Sequence, residues 1–331
     1  MSSQTTLIQL STGYWASQCL YVAAKLGIAD FIKQTPQHYE QLASSTTTHA
    51  PSLYRLLRAL ASLDVFEEFE FGYFGLGKLG NYLQSDNPNS LRAFIIMQGE
   101  EHYQAWGKLI HSIRTGESSF ESLYRMPMFE YYAQNPEPAQ VFHQSMTNFS
   151  QAENEAIVNS YDFSKMQTVI DVAGGEGGLL MRILKANSHL DGVLFELAGV
   201  IEAMQSNLEI TERCRLIAGN FLAQIPTGGD VYLLKRVIHN WEDDKAIAIL
   251  RNCRQAMRAK SKVLVIEQVI PPGNDPFFGK LLDLKMLVLC SGGQERTQSQ
   301  YQQLFEQAGL KLTQVISTST TLSLIEGVAA S

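Results

Sequence analysis

TVIDVAGGEGG, residues 168–178, decides the fold of this chain. Val169 to Ala173 form an apolar run of the kind a parallel strand shows when both of its faces are covered. The run stops in a glycine-rich turn (Gly174, Gly175, Gly177, Gly178), and LLMRILKA continues as a helix. Strand, glycine turn and helix together bring backbone N–H groups and a helix N-terminus up to a ligand. A dinucleotide site would read G-x-G-x-x-G; counted from Gly175, the third glycine is replaced by Leu180. The pattern therefore favours another adenosine compound over NAD.

Further apolar strands follow at the spacing of an α/β fold. GVLFEL ends in Glu196, 25 residues after Asp171, where an acid can accept both hydroxyls of a ribose. CRLIAGNF carries Gly219, Asn220 and Phe221 at its tip, suited to bonding and covering an adenine. DVYLLKRVIHNW brings Lys235, Arg236 and His239 out of its end, and KVLVIEQVI places Glu267 near its own. Open α/β sheets bind ligands beyond the carboxyl ends of their strands, so these residues converge on one site. SQYQQLFEQAGL adds a helix, and KLTQVIST with TTLSLIEG form a closing pair of strands.

Before residue 165 the pattern is helical. WASQCLYVAAKLGIADFI (15–32) has apolar positions at helical spacing, and YEQLASST with PSLYRLLRALASLDVF predicts a helix-turn-helix with Pro51 in the second helix's first turn. FEEFEFGYFGLG reads as a hairpin turning at Gly72, which completes a winged-helix pattern. DNA binding would need a basic face, yet residues 1–100 hold six Lys or Arg against eight Asp or Glu. The expected organisation is 1–100 as a winged-helix-like lobe, 101–164 as a helical linker region contributing to the site, and 165–331 as the ligand-binding α/β domain.

Composition agrees with a globular enzyme: 331 residues, 45% apolar, and a formal charge of −7 that argues against nucleic-acid or anionic-membrane partners. Cys19, Cys214, Cys253 and Cys290 are scattered, which points to free thiols in a reducing compartment, hence the cytoplasm. No run of about 18 apolar residues predicts a membrane span, and no H-x-x-H or H-E-x-x-H predicts a metal.

The ordered segments FHQSMTNFS, DVAGGEGG, LFELAGVIE, AGNF, LLKRVIHNW, VLVIEQVIPP and SGGQERT resemble the small-molecule O-methyltransferases that use S-adenosylmethionine, the plant caffeate-type and bacterial natural-product enzymes. The resemblance implies a Rossmann-like, doubly wound class I methyltransferase sheet preceded by a dimerisation lobe that closes the partner's site, hence a homodimer. It implies S-adenosylmethionine as cofactor, held by Phe142, Met146, Ser150, Gly174, Gly175, Gly177, Glu196, Gly219, Asn220, Phe221, Lys235 and Arg236. His239 becomes the general base toward a phenol or enol, with Glu267 and Glu295 holding its imidazole. Met128, Phe129, Trp241, Met286 and Leu289 become the acceptor's apolar wall, suited to a flat or polyketide-like ring. Ala173 stands where the family usually has glycine, Glu196 and Asn220 where it has aspartate, and Asn240 where aspartate commonly follows the histidine. Two other readings share parts of this pattern: an NAD-dependent reductase on the α/β core, and a winged-helix regulator without catalysis.

Overall fold

The structure, a computed structural model, describes residues 2–204 and 212–330. It divides into two compact units, Met1–Gln104 with Tyr132–Phe149, and Ala105–Tyr131 with Ser150–Ser331. The segment 101–164 is thus shared between the units.

In the first unit a helix runs over Ser3–Leu26, starting well before the apolar pattern at residue 15. Ser2 caps it by accepting the Thr5 N–H at 3.2 Å, and Gly27 ends it in a left-handed conformation. A separate short helix, Ile28–Phe31, follows, so the 15–32 stretch is two elements. The helix-turn-helix is Tyr39–Thr46 and Ala50–Ala61. Leu53, Leu57 and Leu60, spaced four and three apart, turn one stripe of the second helix into the core. Strands Phe66–Glu70 and Tyr73–Leu76 form the hairpin, and Gln37–His38 pairs with the latter to complete a three-stranded wing. At the hairpin turn Gly72 has φ +82°, and a Cβ there would meet His38 Nε2 at 2.6 Å.

The second unit is built on a seven-stranded sheet. In chain order its strands are β1 (Thr168–Val172), β2 (Asp191–Glu196), β3 (Cys214–Ala218), β4 (Val231–Lys235), β5 (Lys262–Glu267), β6 (Leu310–Ser317) and β7 (Ser323–Ala329). Their spatial order is β6-β7-β5-β4-β1-β2-β3. The first five are parallel; β7 runs antiparallel to β5 and to β6, so the sheet is mixed. Alternate side chains serve two cores, as a doubly wound sheet requires. Ile170, Tyr232, Leu234 and Val265 pack with Ile249, Tyr301 and Phe305 on one face. Val169, Leu233, Leu264 and Ile266 pack with Ile157, Leu180 and Ile183 on the other.

The expected strand KVLVIEQVI is interrupted. β5 stops at Glu267, and Val269–Ile270 forms a separate two-residue strand, parallel to Arg296–Thr297. That small pairing brings Glu267 and Glu295 together although 28 residues separate them.

Candidate active site

The glycine turn leaves β1 through three left-handed residues: Ala173 (φ +57°), Gly175 (+57°) and Gly177 (+74°). Ala173 adopts this conformation at the cost of crowding its Cβ, since only glycine is indifferent to it. Gly174 is needed for a different reason: a Cβ would stand 2.5 Å from the carboxyl carbon of Asp171 directly beneath. Asp171 is buried, and that burial pushes its carboxyl up to about 7 while Lys235 pulls it down.

Glu196, at the end of β2, accepts the Gly175 N–H at 3.1 Å on one oxygen and the Leu197 N–H at 2.8 Å on the other. Each oxygen keeps a lone pair for a further donor. A Cβ built on Gly175 meets nothing within 4 Å, so space lies over the turn. A carboxylate with two accepting oxygens beside an open glycine turn fits the ribose end of an adenosine cofactor. At the tip of β3, the Asn220 side-chain oxygen accepts the Leu222 N–H at 2.9 Å, and Phe221 meets Trp241 edge-on with ring centroids 6.1 Å apart.

Lys235 and Arg236 do not pair with Asp243 or Asp244, the obvious nearby acids. Lys235 donates to Asn154 Oδ1 at 2.8 Å and stands 3.2 Å from Glu153 Oε2. Arg236 reaches both oxygens of Glu153, a carboxylate the two cations hold below its usual range against the upward push of burial. Glu153 and Asn154 were not foreseen: an acid 83 residues before Arg236 in a polar helix looks like a solvated face. Ser150 lies three and four residues before them in the same helix, Pro136–Ser160, and so on the same face. Phe142 and Met146, earlier in that helix, belong to the first unit, where Phe142 stacks on Tyr132 at 4.6 Å.

Beyond β4 the chain turns through a single 3₁₀ turn, Ile238–Asn240, that carries His239. His239 is 5% exposed, and its Nδ1 lies 2.6 Å from Glu295 Oε1 and 3.3 Å from Glu267 Oε2. Both acids are buried as well. A carboxylate only accepts, so Nδ1 carries the proton and Nε2 presents the lone pair. Burial alone would lower the imidazole's pKa; the two carboxylates outweigh it and raise it above 6.5. Burial pushes Glu267 up to about 7, with His239 pulling it down and Glu295 adding to the rise. These three groups also lie within 4.8 Å of one another, the composition of a cation site. The 2.6 Å separation, however, is a hydrogen-bond distance spanned by a proton.

Arg296 does not pair with Glu295, the partner next to it in sequence. Fully buried, it donates to the carbonyls of Ile238 (3.3 Å) and Trp241 (2.8 Å) and to Asp243 Oδ1 (2.7 Å). It therefore clamps the His239 turn on both sides. Gly293 completes the arrangement, since a Cβ there would stand 3.2 Å from the His239 carbonyl.

Of the expected acceptor wall, Met128, Met286 and Leu289 are buried in the second unit, Trp241 is half-buried, and Phe129 is half exposed. Lys285, one position before Met286, escaped the sequence reading. Burial and the Arg236 charge hold its ammonium down at about 8.

A parallel sheet with a glycine turn and an acid at the next strand's end is the frame of an adenosine-cofactor enzyme, and comparison with known proteins gives the family. The O-methyltransferase domain family matches residues 106–311, and the O-methyltransferase dimerisation domain matches residues 8–85. The chain belongs to the S-adenosylmethionine-dependent O-methyltransferases. This sets aside both the reductase and the non-catalytic regulator. The chain is 44% identical to "Phenazine O-methyltransferase PhzM" of Lysobacter antibioticus, over 97% of this chain and 94% of that one. It is 35% identical to a 3-amino-4-hydroxybenzoate 4-O-methyltransferase of Streptomyces cremeus, over 96% and 87%. A crystal structure of LaPhzM superposes with a TM-score of 0.96 at 43% identity, covering 99% of this chain and all of that one. Among the described residues no helix is long and apolar enough to cross a membrane.

Proposed function

We propose that this enzyme methylates a hydroxyl of a planar aromatic natural product, with His239 as general base. The observation that carries the reading is the buried bond from His239 Nδ1 to Glu295, which fixes the tautomer and leaves Nε2 basic. S-adenosylmethionine supplies a methyl group made electrophilic by its sulfonium. Glu196 would hold the ribose, the turn at Gly174, Gly175 and Gly177 would supply backbone donors, and Gly219, Asn220 and Phe221 would enclose the adenine. Ser150, Lys235 and Arg236, with Phe142 and Met146 on the same long helix as Ser150, would complete the cofactor's surroundings. His239 Nε2 takes the hydroxyl proton as the oxygen becomes nucleophilic, and Glu267 and Glu295 stabilise the imidazolium that results. Met128, Phe129, Trp241, Met286 and Leu289 offer apolar surface to a flat ring. The similarity to enzymes named for a phenazine and a hydroxybenzoate supports an aromatic acceptor. The dimerisation-domain match supports a homodimer.

The test is methyl transfer to a panel of hydroxylated phenazines, naphthoates and benzoates. His239→Ala should cut transfer by about 10²–10⁴-fold while leaving S-adenosylhomocysteine affinity intact. Because the base works unprotonated, the wild-type rate should rise with pH through a value above 6.5, and Glu295→Gln should move that limb down. Unchanged turnover of His239→Ala on a weakly acidic phenol would remove the base from the mechanism.

A further inference from the structure

The tip of β3 closes in a turn that its own asparagine caps. Gly219 donates its N–H to the Glu196 carbonyl at 2.9 Å, which ties the tip to the end of β2. The Asn220 carbonyl accepts the N–H groups of Ala223 (2.9 Å) and Gln224 (3.0 Å), and its side-chain Oδ1 accepts the Leu222 N–H at 2.9 Å. Asn252, on the helix Asp243–Ala256, fastens the same turn, its Nδ2 donating to the carbonyls of Phe221 at 2.9 Å and Leu222 at 3.1 Å. A backbone N–H only donates, so the Asn220 atom that meets Leu222 is the oxygen, and the orientation of the amide is settled. The atom left over is Nδ2, in an exposed residue and with no acceptor among the described residues. It carries two N–H groups and no lone pair. Adenine's exocyclic amine likewise offers only N–H groups, whereas its ring nitrogens accept. Two donors turned on each other repel.

We propose that Asn220 sets the base specificity of the cofactor site by donating from Nδ2 to a ring nitrogen of adenine, and that it does not read the exocyclic amine. The inference rests on the reading above in which Gly219, Asn220 and Phe221 enclose the adenine. Aspartate at this position caps the turn as well as asparagine does, but it presents an oxygen in place of Nδ2. Exchanging the two therefore reverses the sense of the contact and leaves the turn intact.

The experiment is calorimetric and needs no methyl acceptor. Kd is measured for S-adenosylhomocysteine, for its analogues with carbon in place of N1, N3 or N7 of the base, and for the analogue with hydrogen in place of the exocyclic amine. Wild type, Asn220→Ala and Asn220→Asp are compared, with Tm as the check on folding. In wild type one of the ring-nitrogen analogues should bind about 3–10-fold more weakly than the parent, the loss of one neutral hydrogen bond. That penalty should fall below about 2-fold in Asn220→Ala and Asn220→Asp, which have no N–H to lose. Removing the amine should cost Asn220→Asp about 10-fold more than it costs wild type, because the carboxylate accepts from it. No ring-nitrogen penalty in wild type, or one shared equally by all three proteins, overturns the inference. So does an amine penalty as large in wild type as in Asn220→Asp. If Asn220→Ala still weakens S-adenosylhomocysteine in those cases, the adenine reading stands without the reversed contact. Unchanged affinity for S-adenosylhomocysteine in Asn220→Ala instead removes this residue from the adenine, and both fall together.

Discussion

The two units break the rule of burial in opposite directions. On the helix Ser3–Leu26 of the first, Leu7, Leu10 and Trp15 are 60% exposed or more, and only Ala23 and Ala24 are buried. In the second, Glu267 and Arg296 are fully buried and His239 nearly so. Apolar groups left in water and charges taken out of it are both unfavourable, and each is resolved by a partner. His239 is held between the carboxylates of Glu267 and Glu295, and Arg296 by Asp243 and two backbone carbonyls, all within the unit. The exposed apolar residues of this helix are not covered within their own unit, and the dimerisation-domain match supports a second copy of the chain as the proposed partner.

The sharpest way to break this contrast is to make the first unit obey the rule. If the proposed homodimer is of the obligate kind that buries more than about 2,000 Å², Leu10→Asp with Trp15→Asp should leave a monomer by light scattering. A dimer unmoved by both charges would place the interface elsewhere. Removing a buried charge from the second unit comes next. Arg296→Ala takes one donor from the Ile238 carbonyl, which keeps the Trp241 N–H, strips the Trp241 carbonyl of its Arg296 donor and opens a cavity, so it should cost about 2–4 kcal/mol in denaturant unfolding. A loss within 0.5 kcal/mol would show that the clamp on His239 is not structural. Glu196→Ala removes an acceptor without stranding a buried donor network. It should weaken S-adenosylhomocysteine binding by about 2–3 kcal/mol in calorimetry, and undiminished affinity would refute the ribose assignment. The smallest effect belongs to Ala173→Gly. Relief of a left-handed alanine, less the extra freedom glycine gains when unfolded, should raise stability by about 0.5–1 kcal/mol. A destabilised variant would mean that the alanine methyl packs to advantage.

The sheet was legible because its strands are apolar runs ending in chemistry: VIDV before glycines, VLFE before a leucine, VYLLK before arginine. Glu196, His239 and Glu267 could be picked out on that basis, whereas Glu295, in SGGQERT, came only from the family resemblance. What hid was whatever depended on pairing between distant segments. Glu153 sits in a polar stretch whose periodicity does not separate a buried acid from a solvated one. Arg296 looked like the neighbour of Glu295, but side chains adjacent in an extended segment point to opposite faces, and it serves the His239 turn instead. The first twelve residues of the opening helix, mostly Ser, Thr and Gln with three exposed aliphatic residues, show no buried stripe because they bury none against their own unit. Lys285 was passed over as one cation among 26.

The two-residue strand pair Val269–Ile270 and Arg296–Thr297 fastens both ends of the segment between them. Residues 271–294 thus form a cassette, anchored at one rim by the backbone after Glu267 and at the other by the backbone after Glu295. Asp283, Gly293 and Gln294 inside it hold Glu295 and the His239 turn in place, so the stretch that could vary in sequence or length without displacing either acid is the one away from those three residues. On the reading proposed above, that would let the acceptor change while the His239 and Glu295 pairing stays where it was, with the variable stretch of this cassette as the unit to transplant between relatives.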